Sequence, residues 1–300
     1  MFTYEYKGCG TMKLTIFTPT YNRGYILPKL YASLIRQTSR DFVWLIVDDG
    51  SIDNTFQLVK SWIKDDKIEI VYYKQKNQGK SIAHNEGVEH TNTELFTCVD
   101  SDDYLRNNAV EEILNTWKKN YNKDSIGILA FRGYSDNRAL TSIKNNNKRF
   151  TTLRNAYKKL GLNGDTMLVY KSNVIKKYKF PKIRGEKFVP EAYLYDLLDQ
   201  EGSLIILPKV LYVGEYLDDG YTKNMVKLLL DNPNGYLTYL NQRLLINNSL
   251  TDKITDTIRY VAFCIAIKKE KIISNSVYPT ISLITFPAGY LFYRFRYKEV

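Results

Sequence analysis

The sequence predicts an α/β fold: a mixed, mainly parallel sheet with helices on both faces, followed by a helical C-terminal region. Three observations carry this. Short β-rich apolar runs alternate with segments of helical periodicity through the first hundred or so residues. The runs are apolar on both faces, as strands covered on both sides must be. Three polar clusters, "TPTYN", "VDDGS" and "VDSDD", each follow such a run, at the carboxyl end where ligands of parallel sheets bind.

The elements follow in order. "KLTIFT" (13 to 18) is the first strand, and "GYILPKLYASLIRQ" after it carries Ile26, Leu27, Leu30, Tyr31, Leu34 and Ile35 at helical spacing. "FVWLIVDD" (42 to 49) is the second strand. Asp53 is placed to cap the helix "NTFQLVKSWIKD", whose Phe56, Val59, Trp62 and Ile63 share a face. "IEIVYY" (68 to 73) is a third strand, "GKSIAHNEGVEH" a short helix and "ELFTCVD" a fourth strand. A helix, "NNAVEEILNTWKKN", and a strand, "IGILAF" (126 to 131), come next. Alternation then weakens. "NNNKRFTTLRNAYKKLG" reads as a basic loop and helix, "DTMLVY" and "SLIILPKVLYVGEYL" as β-rich pieces, and the chain from about 225 as helical. The domain reading is residues 1–225 as one α/β domain, with halves at 1–105 and 106–225, and 226–300 as a helical region. Residues 1 to 11, ahead of a second methionine at Met12, read as an extension outside the fold.

Composition narrows the function. Cys9, Cys98 and Cys264 are too few and too scattered for a disulfide framework or a metal cluster, which fits a reducing compartment. The opening "MFTYEYKGCGT" has no apolar core of the kind a secretory signal needs. The net charge is +11, and it is uneven: residues 138 to 187 hold 14 Lys and Arg against Asp165 and Glu186. The last 48 residues hold eight Lys and Arg against three acids. A basic middle and tail on a mildly acidic body suggest an anionic partner, with lysines serving solubility as the plainer account. A membrane surface and nucleic acid both meet the charge requirement. The acidic strand ends, and the lack of a recognisable nucleic-acid-binding motif, argue against nucleic acid.

"ELFTCVDSDDYL" (94 to 105) raises the chemical question. Asp100, Asp102 and Asp103 end an apolar run, and close carboxylates repel one another, the more so when buried. The chain has neither G-x-G-x-x-G after its first strand nor G-x-x-x-x-G-K-[ST], so no glycine nest at those places holds a nucleotide's phosphates. Carboxylates at i and i+2 after a strand suit a hard divalent cation, Mg²⁺ or Mn²⁺, with a diphosphate supplying further ligands. An acidic turn capping the next helix is the plainer alternative.

Four segments occur in one order at close spacing: "TIFTPTYNRGYILPKLYASLIRQT", "FVWLIVDDGSIDNT", "NQGKSIAHNEGV" and "CVDSDDYL". Together they resemble the family 2 glycosyltransferases, inverting enzymes with a GT-A fold. "GEKFVPEAYLYD" and "VGEYLDDGYT" look like the subgroup that builds bacterial surface polysaccharides. The resemblance implies a nucleoside-diphosphate sugar donor, UDP- or dTDP-linked, and a glycan or polyprenyl-pyrophosphate-linked acceptor. It implies that Pro19 and Tyr21 line the nucleotide pocket. Asp49 would accept the imide N–H of a uracil or thymine, with Asp48 supporting the loop. Asn77 and Lys80 would reach the nucleotide or its phosphates, Asp100 the ribose or metal, and Asp102 would be the main metal ligand with Asp103 behind it. Family members often carry arginine where His84 stands, so His84 reads as a packing or helix-surface residue. A decayed transferase, a non-catalytic module that only binds sugar nucleotides or polysaccharide, is the rival reading, and the intact carboxylates argue against it.

Inverting transfer needs a base on the acceptor side. The family places an acid at the start of a helix after the acceptor loop. "FVPEAYLYDLL" puts Glu191 there, with Glu186 as runner-up and a first-turn helix carboxylate as the structural alternative. Asp165 in "NGDTMLVYK" matches a recurring Gly-Asp of the subgroup and is assigned to the acceptor side. The tail "VYPTISLITFPAGYLFYRF" (277 to 295) is apolar, aromatic, interrupted by Pro279 and Pro287, and followed by further basic residues. It reads as an in-plane or re-entrant membrane element rather than a straight span, with a core helix as the alternative. The protein is thus expected in the cytoplasm, peripheral on the cytoplasmic face of the membrane.

Overall fold

The β-rich runs of the first half form strands in a computed structural model of the chain, which describes residues 3–4, 13–135, 138–144, 147–214, 224–246 and 249–298. Most of the N-terminal extension, and residues 215–222 of the "VGEYLDDGYT" segment, lie outside the described residues. Strand β1 (Thr3–Tyr4) precedes β2 (Leu14–Thr20), α1 (Leu27–Leu34), β3 (Phe42–Asp48), α2 (Thr55–Asp65), β4 (Ile70–Lys74), α3 (Lys80–Glu89) and β5 (Leu95–Cys98). Then come β6 (Tyr104–Leu105), α4 (Ala109–Asn120), β7 (Ser125–Ser135), β8 (Arg138–Ala139), β9 (Phe150–Thr151), α5 (Leu153–Lys159) and β10 (Thr166–Lys171). They are followed by α6 (Ser172–Ile175), α7 (Ala192–Leu198), β11 (Ser203–Val213), α8 (Met225–Asp231), α9 (Pro233–Ile246), α10 (Leu250–Ala266) and α11 (Pro279–Arg296).

The strands form one 11-stranded sheet with the main order β1-β4-β3-β2-β5-β10-β7-β11-β6. β2 lies between β3 and β5 and is parallel to both, in register Leu14↔Phe42 and Leu14↔Leu95. β4 continues the parallel array from β3. β10 runs antiparallel between β5 and β7, while β11 is parallel to β7. All seven residues of β2 and of β3 are buried, which is why both runs read as continuously apolar. Thr3 and Tyr4 pair with Tyr73 and Tyr72, so that stretch of the extension belongs to the sheet rather than outside it. Pro208, which has no N–H to give the ladder, lies where the β11–β7 register shifts between Leu207 and Val210.

The chain divides into two compact units, Met1–Lys179 with Leu194–Glu215, and Phe180–Tyr193 with Tyr216–Val300. The first holds the sheet. Its core runs through Leu14, Ile16, Trp44, Ile46, Leu95, Val169 and Ile205, with Tyr31, Trp44 and Trp62 stacked along one side. The second holds α8 to α11 around Leu237, Leu240, Leu244, Tyr260, Val261 and Phe263. Segment 180–193, read from the sequence as part of the acceptor half, groups with these helices.

The tail is one helix, with Pro279 in its first turn and Pro287 inside it. It packs on α10: a Cβ on Gly289 would fall 2.6 Å from Val261 Cγ1. Among the described residues no helix is long and apolar enough to cross a membrane.

Candidate active site

The sheet delivers its polar residues at one edge. After β2 the chain turns through Tyr21 and Asn22, after β3 through Asp49, Gly50 and Ser51, and after β5 into Asp100, Asp102 and Asp103. Hydrogen bonds tie the first two turns together: Asn22 N–H donates to Ser51 Oγ at 2.8 Å, and Ile52 N–H to Asn22 Oδ1 at 2.9 Å. Asp53 fastens them from behind, accepting Gly24 N–H at 2.9 Å and Thr55 N–H at 3.1 Å, the second at the start of α2 where a cap was expected.

The two carboxylates of "VDDGS" do different work. Asp48 is fully buried; it accepts Ser51 N–H at 2.6 Å and the Tyr72 hydroxyl at 2.5 Å, and so supports the loop. Asp49 is 4% exposed and accepts Gln75 Nε2 at 2.6 Å, Gln78 N–H at 2.8 Å and Gly79 N–H at 2.7 Å. An ionised carboxylate offers about four acceptor positions, so roughly one is left for a ligand. Beside it Pro19 is buried in β2, Asn77 is half-buried, and Tyr21 is exposed.

Lys80 opens α3 and places its ammonium 2.7 Å from Asp100 Oδ1. Burial works against ionisation of Asp100, but Lys80, then Arg132 and Arg23, outweigh it and hold the carboxyl below its ordinary value. Asp102 has no ion pair among the described residues, and burial, then the charge of Asp100, raises its carboxyl. Asp103 is 2% exposed; both its oxygens accept Arg132 Nη2, at 3.2 and 3.1 Å, and Oδ2 also accepts the Tyr212 hydroxyl. Burial pushes Asp103 up to about 7 against the pull of the guanidinium. Arg132 Nη1 donates to Asp165 Oδ2 at 3.1 Å, so Asp165 joins the edge that carries the acidic strand end. Part of the repulsion among these carboxylates is therefore met inside the protein, by Lys80 and Arg132.

Arg23, Arg132 and Tyr212 were not legible as site residues. They lie about 80, 30 and 110 positions from the acidic motif, and strand pairing, including β7 with β11 and β11 with β6, puts Arg132 and Tyr212 beside it. Gly214 makes room for them: a Cβ there would fall 1.6 Å from Asp103 Oδ1 and 2.7 Å from Arg132 Nη2.

Asp100 and Asp102 are hard oxygen donors of the kind Mg²⁺ and Mn²⁺ take. Among the described residues no cluster of three or more His, Cys, Asp or Glu could hold a metal; an ion on Asp100 and Asp102 would need its remaining ligands from substrate and water. His84 is buried with its ring edge-on to Phe17 and Phe96, a packing residue.

Glu186 and Glu191 lie in the helical unit. Glu186 accepts Asn234 N–H at 3.0 Å, Asn234 Nδ2 at 2.7 Å and Gly235 N–H at 2.7 Å, which caps the first turn of α9. Glu191 is exposed and directly precedes α7.

The profile of the family described as "Glycosyl transferase family 2" matches residues 15–179, more than half of the chain. The chain belongs to glycosyl transferase family 2. An uncharacterised glycosyltransferase of Haemophilus influenzae is 28% identical over 195 residues, 64% of this chain and 74% of that protein. The poly(ribitol-phosphate) β-N-acetylglucosaminyltransferase TarP of Staphylococcus aureus is 33% identical over 128 residues, 40% of this chain and 38% of that one. A Campylobacter jejuni β-1,3-glucosyltransferase named for a GalNAc(5)-diNAcBac-PP-undecaprenol acceptor is 32% identical over 111 residues, 36% of each chain. The chain thus spans little more than a third of the length of these last two relatives.

Among solved structures, S. aureus TarS 1-349 in complex with UDP-GlcNAc superposes with a TM-score of 0.58 at 16% identity, covering 94% of this chain and 92% of that one. The mannosyltransferase PcManGT of Pyrobaculum calidifontis, with GDP-Man and Mn²⁺, gives 0.53 at 14% identity, covering 94% and 87%. At these identities the likeness shows the fold, which is GT-A. The family assigns the chain to the inverting glycosyltransferases.

Proposed function

We propose that this glycosyltransferase moves a sugar, with inversion, from a UDP-sugar to a hydroxyl of a glycan or polyprenyl-pyrophosphate-linked oligosaccharide during bacterial surface polysaccharide synthesis. The observation that carries the donor side is the edge where Asp100 pairs with Lys80 and Asp102 lies beside them. Asp49, with its remaining acceptor position, would take the imide N–H of uracil. Tyr21 would stack on the base, and Asn77 and Lys80 would reach the phosphates. The complexes of TarS with UDP-GlcNAc and of PcManGT with GDP-Man and Mn²⁺ support a nucleotide-sugar donor by analogy of fold.

Asp102, with Asp100, would hold the divalent cation, which when bound neutralises charge on the diphosphate. The chain's own groups do the rest. Glu191 takes the proton of the acceptor hydroxyl as its oxygen bonds to the anomeric carbon and the bond from that carbon to the diphosphate breaks. Lys80 and Arg23 stabilise the charge left on the departing nucleotide. Asp165 faces the acceptor. The names of the Campylobacter and TarP relatives support a lipid-linked or polymeric acceptor, and a lipid-linked one would place the enzyme at the cytoplasmic face of the membrane.

Titration calorimetry with UDP in the presence of Mg²⁺ or Mn²⁺ tests the donor reading. Binding is expected with metal, to be lost on adding EDTA and lost in Asp102→Ala, with oligonucleotides giving no heat. Unchanged affinity of Asp102→Ala for the metal–UDP pair would overturn the assignment.

A further inference from the structure

Helix α11 is amphipathic in an unusual sense: its small and hydroxylated residues face inward and its large apolar ones face out. Ser282, Thr285 and Gly289 are buried. The two hydroxyls are satisfied locally, Ser282 Oγ against Ser276 Oγ at 2.6 Å and Thr285 Oγ1 donating to Ile281 O at 2.7 Å, so the inward face needs nothing further. Leu283, Ile284, Leu291 and Phe295 are 61, 73, 57 and 89% exposed, and Tyr290 and Phe292 lie exposed among them. The spacings of four, seven and eight among Leu283, Ile284, Leu291 and Phe295 put these four on one side of the helix. A monomer in water gains nothing by exposing such a contiguous face, and faces of this kind mark contacts with another apolar phase.

Charge selects the occupant. The helix carries no charged residue from Pro279 to Tyr293, and then Arg294, Arg296 and Lys298 follow within five positions. Residues 271 to 298 hold four cations and no acid. A second copy seated on this face would bring apolar groups but no counter-charge for that end of the helix. A bilayer supplies both: acyl chains under the apolar face, and anionic phosphates at the depth of the arginines and of Tyr290, where aromatic rings with a polar tip settle. A helix lying in the interface plane matches these features, and no described helix is of a length and polarity to cross.

We propose that the outward face of α11 docks the protein in the plane of an anionic lipid surface, with Ile284, Leu291 and Phe295 inserted and Arg294, Arg296 and Lys298 on the headgroups. The proposal goes beyond the transfer reaction, and its test needs no turnover, so failure of either leaves the other standing. Full-length protein is sedimented with vesicles of phosphatidylcholine alone and of an equal mixture with phosphatidylglycerol, at low and high salt. Wild type is expected to prefer the mixed vesicles and to be released only in part by salt, because insertion is insensitive to it. The exposed-face variant I284E/L291E/F295E should lose roughly ten-fold or more in partitioning while keeping its thermal midpoint. Should it fail to fold, I284S/L291S/F295S carries the same expectation. R294Q/R296Q/K298Q should bind both vesicle types alike. Wild type remaining in the supernatant with both compositions, or face variants sedimenting as wild type does, would overturn the proposal. So would ultracentrifugation showing a wild-type dimer that the face variants convert to monomer, which would assign the face to a second copy.

Discussion

Arg132 donates through one nitrogen to both carboxylate oxygens of Asp103, at 3.2 and 3.1 Å, and the carboxylate is buried beneath the acidic strand end. This pair, together with Lys80 on Asp100, offsets part of the charge of the acidic cluster. Arg132→Met strands a buried carboxylate and is expected to cost roughly 3–5 kcal/mol in denaturant unfolding. The double variant with Asp103→Asn should recover a large part of that, and the difference measures the coupling. The loss should depend on pH. Asp103 titrates near 7 in the folded protein, above its unfolded value of roughly 3.9. Stability held by the protonated form is present below about 4 and is lost as pH rises to about 7, further up once the guanidinium is gone. Arg132→Met should therefore look worse at pH 8 than at pH 5. An equal loss at both values would mean that the carboxyl stays ionised throughout.

The two candidate bases can be told apart by substitution. Glu186 spends its carboxylate on three N–H donors at the start of α9. Glu186→Ala should lower stability by about 1 kcal/mol, as loss of a helix cap does, and Glu186→Gln should leave most transfer activity in place. Glu191→Gln should keep UDP binding and lose transfer by roughly 10²–10⁴-fold, the usual contribution of a positioned base. The assay is initial-rate transfer alongside calorimetric donor affinity. The opposite ranking of the two glutamines would move the role to Glu186.

The contrast between these residues shows what the sequence could carry. Strands buried on both faces, such as β2 and β3, announce themselves by composition, and the acidic motif after β5 announces itself by charge. Direction does not: nothing in "DTMLVY" says that it runs antiparallel between β5 and β7, and that insertion helps bring the Arg132 region across to Asp103. Long-range neighbours like Arg132 and Tyr212 are fixed by pairing, which leaves no local periodicity to read. The tail was legible as apolar and aromatic, but with its occupant open between core and membrane. Which residues face in depends on the small residues that let α11 approach α10, and Gly289 is one of them, set against Val261.

That contact gives a further expectation. Gly289→Leu must displace Val261, itself fully buried in the helical core, and overpacking of this kind costs typically 1–3 kcal/mol. Ala288→Leu, one position along and exposed, should stay within about 0.5 kcal/mol of wild type. Thermal or urea midpoints of the two variants check this side by side. Equal tolerance at both positions would mean that α11 does not pack on α10 through Gly289.

His84 offers a pH signature in which burial is the largest cause. Its ring lies edge-on to Phe17 and Phe96, with centroids 5.6 and 5.5 Å away. Burial, helped by the charge of Lys80, lowers its pKa to about 3, so the folded protein holds it neutral over the working range. The unfolded chain protonates the same ring near 6.5. Stability contributed by the neutral form is therefore present above about 6.5 and falls as pH drops toward 3, by up to roughly 1.4 kcal/mol per pH unit. His84→Leu removes the titrating group and keeps an apolar side chain between the two phenylalanines. Its midpoint at pH 7 should lie below that of wild type, for the loss of ring contacts, and the gap should close as pH is lowered to 4.5. Parallel acid limbs for the two proteins would show that His84 is protonated in the folded state, and that the acid sensitivity resides in the carboxylates instead.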